Sequence, residues 1–257
     1  MSSLPTLVRA IARKEIILMI RYPVNTFSNL LLTYLFFLLI FFGGQAVAGP
    51  ALTESLDGII VGFFLWTMSS LSFGYLAYSV SAEAQWGTLE QLYMTPFGIR
   101  TIMVVKAVVG TIINFGWGVV MLLLMLVTSG QTLQIDIVTV LSLGMLTLAS
   151  ALGIGFLFAG LALLYKRIED LLSLVNFLIV GFIAVPVGSY SLLKALPLAQ
   201  GSYLLRQTME DGILVWELPA VELLILVATA VAYVGVGYYV FWWSQRRARR
   251  KGILGHY

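Results

Sequence analysis

Residues 82–98 read AEAQWGTLEQLYMTPFG and lie between two long apolar runs, 58–80 and 102–127. Their character differs from that of either neighbour. They carry two carboxylates, Glu83 and Glu90, then a Gly-Thr step at 87–88 and a Thr-Pro stop at 95–96. Gly87 is placed to terminate a helix arriving from the preceding run. Thr88 offers an N-cap, and Gln91 three residues on completes a T-x-x-Q capping box. The spacing predicts a short helix over 89–94 that ends before Pro96, because the residue before proline avoids the helical region. Leu89, Leu92 and Tyr93 share one face of that helix, while Glu90 and Gln91 point elsewhere. A helix of under two turns is not stable alone, so this one has to dock on something. What it docks on depends on the rest of the chain.

The chain has 257 residues, 60% of them hydrophobic and 11% charged, with a mean hydropathy of +0.97. Soluble domains carry about 25% charged residues, so the expected class is an all-α membrane protein. A bilayer core of about 30 Å needs about 20 apolar residues per helix. Six segments meet that length, at 26–48, 58–80, 102–127, 138–164, 171–190 and 219–243, and each is all but free of charge in its interior. Six transmembrane helices in a single transmembrane domain, 1–257, are therefore expected.

Charge orients them. With both termini inside, 13 of the 15 Lys and Arg residues fall on the cytoplasmic side, leaving only Lys194 and Arg206 outside. The inside set runs from Arg9, Arg13, Lys14 and Arg21 through Arg100, Lys106, Lys166 and Arg167 to the cluster RRARRK in the tail, 244–257. Glu54, Asp57, Asp136, Glu210, Asp211, Glu217 and Glu222 lean to the outer face. The positive-inside rule disfavours an odd number of spans, which would export the RRARRK cluster. Tyr239, Phe241, Trp242 and Trp243 close the last span as an aromatic belt, with Trp216 at its outer start. The expected location is the cell membrane, multi-pass, with no cleaved leader, since 1–23 lack a small-residue cleavage site after an apolar run.

Two segments read as helical without spanning. In residues 1–22, Leu4, Leu7, Val8, Ile11, Leu18 and Met19 fall on one side at 100° per residue, with Arg9, Arg13, Lys14 and Arg21 opposite. A basic amphipathic helix of this kind lies in the headgroup layer against membrane lipids. Glu15 breaks the pattern on the apolar side unless it pairs with protein, and Pro23 ends the helix. In 191–217, Pro197, Gly201 and Gly212 separate short pieces too oily for a free loop. Two short helices dipping into the outer leaflet and packed on protein are expected there.

The missing chemistry narrows the function. There is no cysteine, and the one histidine, His256, is next to the last residue, so neither a thiolate site nor a histidine metal centre or dyad is expected. No GxxxxGK[ST] phosphate loop occurs. Serine is plentiful, but with no base in reach no triad is proposed. Asn114 and Asn176 are the strongly polar side chains well inside the spans and are expected as helix–helix glue. Gly58, Gly62, Gly153, Gly155 and Gly160 are expected to let helices approach closely. The chain is expected not to be an enzyme, to hold no cofactor or metal and to bind no nucleic acid. A self-sufficient secondary transporter or channel is the alternative to an ATP-driven one. An intramembrane hydrolase or lipid transferase and a structural subunit are weaker alternatives.

The run Glu83, Gly87, Thr88, Leu89, Glu90, Leu92, Thr95, Pro96 resembles the signature of the permease subunits of type-two ATP-binding-cassette exporters, which move drugs, polysaccharides and nodulation factors. The resemblance extends over the whole chain: an N-terminal interface helix, six spans and a re-entrant pair of short helices before the last. It implies that 82–98 is the coupling region that sits in a groove of an ATP-binding-cassette subunit. It implies two such subunits, with ATP and magnesium in them rather than here, and a second permease copy as homodimer or paralogue. It further implies a substrate pathway along the first, second and fifth spans, where Thr67, Ser69, Ser70, Ser72, Tyr75 and Asn176 provide the polar face for an amphipathic or hydrophobic cargo. The chain departs from the family where Ala84, Gln85 and Trp86 stand in place of further charge.

Overall fold

The computed structural model describes residues 3–48, 56–165, 168–188 and 191–251, and every regular element among them is helical. Glu54, Lys166, Arg167 and His256 lie outside the described residues, as do the positions of the tail after 251. In chain order the helices are α1 (Leu4–Arg21), α2 (Pro23–Ala48), α3 (Leu56–Gln85), α4 (Leu89–Met94), α5 (Gly98–Ser129), α6 (Ile137–Leu164), α7 (Glu169–Ala184), α8 (Ala199–Asp211) and α9 (Ala220–Lys251), with a 3₁₀ turn at Ser191–Ala195 before α8.

Five of these, α2, α3, α5, α6 and α9, are long and apolar enough to cross a membrane, the architecture of a multi-pass membrane protein. The sixth expected segment, 171–190, is represented by α7, which has 16 residues. At 1.5 Å per residue that is roughly 24 Å, short of a full hydrocarbon core. The cause is local: Val185 precedes Pro186 and adopts an extended conformation, φ −60°, ψ 131°, which ends the helix.

α3 is the hub of the bundle. Leu56, Ile60, Phe64, Leu65, Met68 and Phe73 along it are all within 1% of full burial. α6 and α9 pack on one another more closely than side chains would allow. A Cβ on Gly237 would stand 1.9 Å from the Gly153 carbonyl oxygen, and one on Gly153 would stand 2.3 Å from the Tyr233 carbonyl carbon. Gly155 meets the Phe73 carbonyl oxygen of α3 and Gly160 meets the Phe241 backbone in the same way. These three glycines do what was expected of them. Gly58 and Gly62 do not, since the atoms nearest them are side-chain atoms of α8.

Three further expectations are revised. Gly201 does not break the 191–217 segment: it lies within α8, where its missing side chain makes room for Thr147 of α6. Pro197 precedes α8, and Gly212, φ +73°, caps it. The segment is packed on protein, for Leu204 and Leu205 are fully buried and the Leu198 amide donates to Ser150 Oγ of α6 at 3.1 Å. The basic cluster is not a separate tail, because α9 continues unbroken to Lys251. Phe241 is no belt residue: it is fully buried against Phe156 of α6, whereas Tyr239 and Trp243 remain exposed.

Candidate functional site

The short helix α4 forms over Leu89–Met94, as its spacing predicted. What holds it differs from the prediction. α3 ends in a paired turn: Gly87, at φ +68°, donates its amide to the Ala84 carbonyl at 3.1 Å, and Thr88 donates its amide to the Glu83 carbonyl at 3.0 Å. This is the left-handed glycine termination that satisfies the last carbonyls of a helix. Thr88 thereby takes a near-helical backbone, φ −90°, ψ −7°, and makes no side-chain cap. The capping box is not formed. The Thr88 hydroxyl turns back and donates to the Glu83 carboxylate.

Glu83 is the centre of this corner. It is 6% exposed and accepts from Lys106 Nζ of α5 at 2.9 Å and from Lys14 Nζ of α1 at 3.4 Å. Lys106, itself 4% exposed, also donates to Ser79 Oγ at 2.7 Å. Two cations thus converge on one buried carboxylate, and an unpaired charge at such depth would be costly. A second tie lies about two turns back along α3. Tyr75 donates its hydroxyl to Glu15 Oε1 at 2.8 Å, which explains the acidic residue on the apolar side of α1. Tyr75 itself sits in a notch that Gly110 leaves on α5.

Apolar packing completes the corner. Ile11 of α1 is buried with Ile102, Val105 and Val109 of α5, and Leu7, Leu92 and Phe97 pack against the same cluster. Leu89 is 1% exposed. Thr95 donates to the Leu92 carbonyl at 2.9 Å, closing α4, and Pro96 is exposed. α4 therefore docks first on its own chain, through α1, α3 and α5. Its other side is exposed: Met94 is 79% exposed with Glu90 and Gln91 also exposed, and in the segment before it Gln85 and Trp86, the latter 68%, are exposed too. Gln85 donates to Glu169 at the start of α7, at 3.3 Å. Arg9, Arg13, Lys14 and Arg21 line the exposed side of α1.

The end of α9 also reaches this corner, which the sequence reading missed. Arg249 stands over the Tyr93 ring at 5.9 Å, Arg246 stacks on Trp242 at 3.9 Å, and Arg100 Nε donates to Gln245 Oε1 at 2.9 Å. Lys106 and Ser79 were missed as partners of Glu83 as well. The available signal was helical spacing, since Ser79 and Glu83 are four residues apart and share a face.

The six expected pathway residues have different surroundings. Ser70 and Asn176 meet, the hydroxyl donating to the amide oxygen at 2.6 Å and joining α3 to α7. Thr67 bonds back to the Phe63 carbonyl. Ser69 and Ser72 are fully buried, with hydroxyls that have no partner. Tyr75 serves Glu15. Asn114, expected as glue, is buried with its amide nitrogen unpartnered.

A cavity of about 280 Å³ lies at the opposite end of α3, bounded by α2, α3, α7 and α8. Compared with known proteins, the chain matches no family model and no curated sequence.

Proposed function

We propose that the chain is the membrane subunit of an ATP-driven exporter of the ATP-binding-cassette type, with a separate ATP-binding subunit docked on α4. One observation carries this reading. A helix too short to be stable is clamped from behind by a buried ionic junction, with Met94 on it and Trp86 in the turn before it both largely exposed. Large apolar side chains concentrated on a polar, water-facing corner are the mark of a protein contact. Motion imposed on α4 passes to α3 through the Gly87 turn and Glu83, to α5 through Lys106 and to α1 through Lys14.

In this reading α1, α4 and the end of α9 lie on the cytoplasmic side, with both termini inside. α7 and the extended residues after it provide a short fifth crossing, and α8 dips into the outer leaflet. Two copies of the chain pair with two ATP-binding subunits, and alternating access moves an amphipathic or hydrophobic cargo outward. The resemblance of 83–96 to the type-two exporter signature supports the same assignment. Glu83 then acts by positioning α4, and the contact itself falls to Trp86, Glu90 and Met94.

The test is co-reconstitution with the ATP-binding subunit in proteoliposomes, comparing wild type with the double variant Trp86→Glu/Met94→Glu. ATP-dependent transport is lost in the double variant and its melting temperature is unchanged, because both side chains are exposed. Full transport by the variant, or transport by the chain alone without ATP, overturns the reading.

A further inference from the structure

The cavity at the far end of α3 is built differently from the grooves between packed helices. Its walls are apolar and aromatic. Phe36 and Phe63 each meet Trp66 edge to face, with centroids 5.9 and 5.5 Å away, and are tilted to one another at 6.1 Å, and Val180 and Ile183 close it from α7. One charged group lines it, Arg206 of α8. The guanidinium lies against α3 where Gly58 and Gly62 leave room: a Cβ on either would come within 3.6 Å of an Arg206 Nη atom. The GIIVG spacing, read from sequence as helix packing, is here a notch for side chains of α8: a Cβ on Gly58 would stand 3.2 Å from Glu210 Oε1 as well as 3.6 Å from Arg206.

Two carboxylates, Asp57 and Glu210, stand near Arg206 without closing on it. Among the described residues it makes no ion pair, and its Nε is buried without a partner. Neither carboxylate lines the cavity. The Trp66 indole nitrogen is also buried and unpartnered. Neither nitrogen has accessible surface of its own, and what the cavity offers an entering acceptor is the Arg206 side chain that lines it. Arg is suited to that role, since its fork matches phosphate and carboxylate.

We propose that this cavity binds an amphipath with an anionic head group, the head on the Arg206 guanidinium and the chain along Phe36, Phe63 and Trp66. The volume of about 280 Å³ holds on the order of ten methylenes, at roughly the 30 Å³ a water-sized group occupies in a liquid. Within its walls that accommodates one alkyl chain. The site is thereby assigned to a single-chain anionic amphipath as cargo. That this ligand is cargo rests on the exporter reading, whereas the site does not.

The experiment is equilibrium binding of radiolabelled dodecyl phosphate to the full chain in phosphatidylcholine nanodiscs, corrected for empty discs, with neither nucleotide nor an ATP-binding subunit present. Wild type binds saturably at one site. Arg206→Gln weakens binding about tenfold or more, and Arg206→Lys recovers part of the loss. Ala184→Trp, which fills the cavity from an exposed position and leaves Arg206 in place, weakens it comparably. Dodecyltrimethylammonium does not compete. Absence of saturable binding, unchanged affinity in Arg206→Gln and Ala184→Trp, or equal competition by the ammonium overturns the proposal. Should Arg206→Gln fail to fold, Arg206→Lys and Ala184→Trp decide the matter. Failure here removes the cargo class and leaves the exporter reading standing. Binding without ATP-coupled transport does the reverse.

Discussion

Replacing Lys106 by Met removes one cation from the Glu83 junction, and the two arms of that junction predict very different costs. The Lys106 and Glu83 side chains taken alone are 5% and 8% exposed, and the two are 2.9 Å apart. Lys14 is 47% exposed and 3.4 Å from the same oxygen. Breaking a buried pair leaves an uncompensated charge and costs about 3–5 kcal/mol, while an exposed pair contributes about 0.2–1 kcal/mol. Lys106→Met is expected at the low end of the first range, about 3 kcal/mol, because Lys14 and Thr88 still face the carboxylate. Lys14→Gln is expected to cost less than about 1 kcal/mol. The double variant Glu83→Leu/Lys106→Met replaces both charges by apolar groups of similar size and is expected to cost under about 2 kcal/mol, less than either buried single change. For a chain of this size 1 kcal/mol moves the melting temperature by about 2–4 °C. Thermal unfolding in detergent, followed by tryptophan fluorescence, therefore places Lys106→Met on the order of 10 °C below wild type. An equal shift in Lys106→Met and Lys14→Gln, or a double variant as damaged as the sum of its singles, refutes the argument that burial sets the strength of this junction.

Gly237→Ala puts a methyl 1.9 Å from the Gly153 carbonyl oxygen. It is expected to force α6 and α9 apart at about 1–3 kcal/mol or more, whereas Gly235→Ala on the same helix meets nothing within 4 Å and is expected to stabilise through helix propensity; melting temperatures of the pair decide this. Gly87→Ala also has open space but keeps φ at +68°. Its cost of about 1–2 kcal/mol is conformational and is expected to appear as faster amide exchange at 87–94 with little change in global melting. Asp136 accepts from the Thr139 amide at 2.8 Å as the N-cap of α6, and hydrogen bonding from Thr139, side chain first and then backbone, holds its carboxyl below the usual range. With the folded value depressed, the contribution is present above the unfolded value near 3.9 and is lost as pH falls through the folded one. Asp136→Asn is expected to flatten that acid limb of the melting curve, and an unchanged limb refutes the assignment.

Much of this protein is local and so was legible from sequence. Apolar runs about 20 residues long define helices whatever surrounds them, because hydrocarbon leaves a backbone no other way to satisfy its amides. Gly87, Pro96 and the residues between them set α4 to the residue, and Tyr22 and Pro23 likewise separate α1 from α2. Tertiary structure decided everything that depends on which side chains meet. Glu83 belongs to a motif that reads as surface contact, yet it is buried because Lys106, 23 residues away, and Lys14, 69 residues away, close on it. Thr88 abandons its cap because the same carboxylate accepts its hydroxyl. Glu15 is matched by Tyr75, a partner that no helical period can indicate. Gly58 and Gly62 show the same division: their spacing promises a close approach, and only the packed bundle determines that the Arg206 and Glu210 side chains of α8 fill it. Periodicity reports one element at a time, whereas charge pairing and cavity shape exist only between elements.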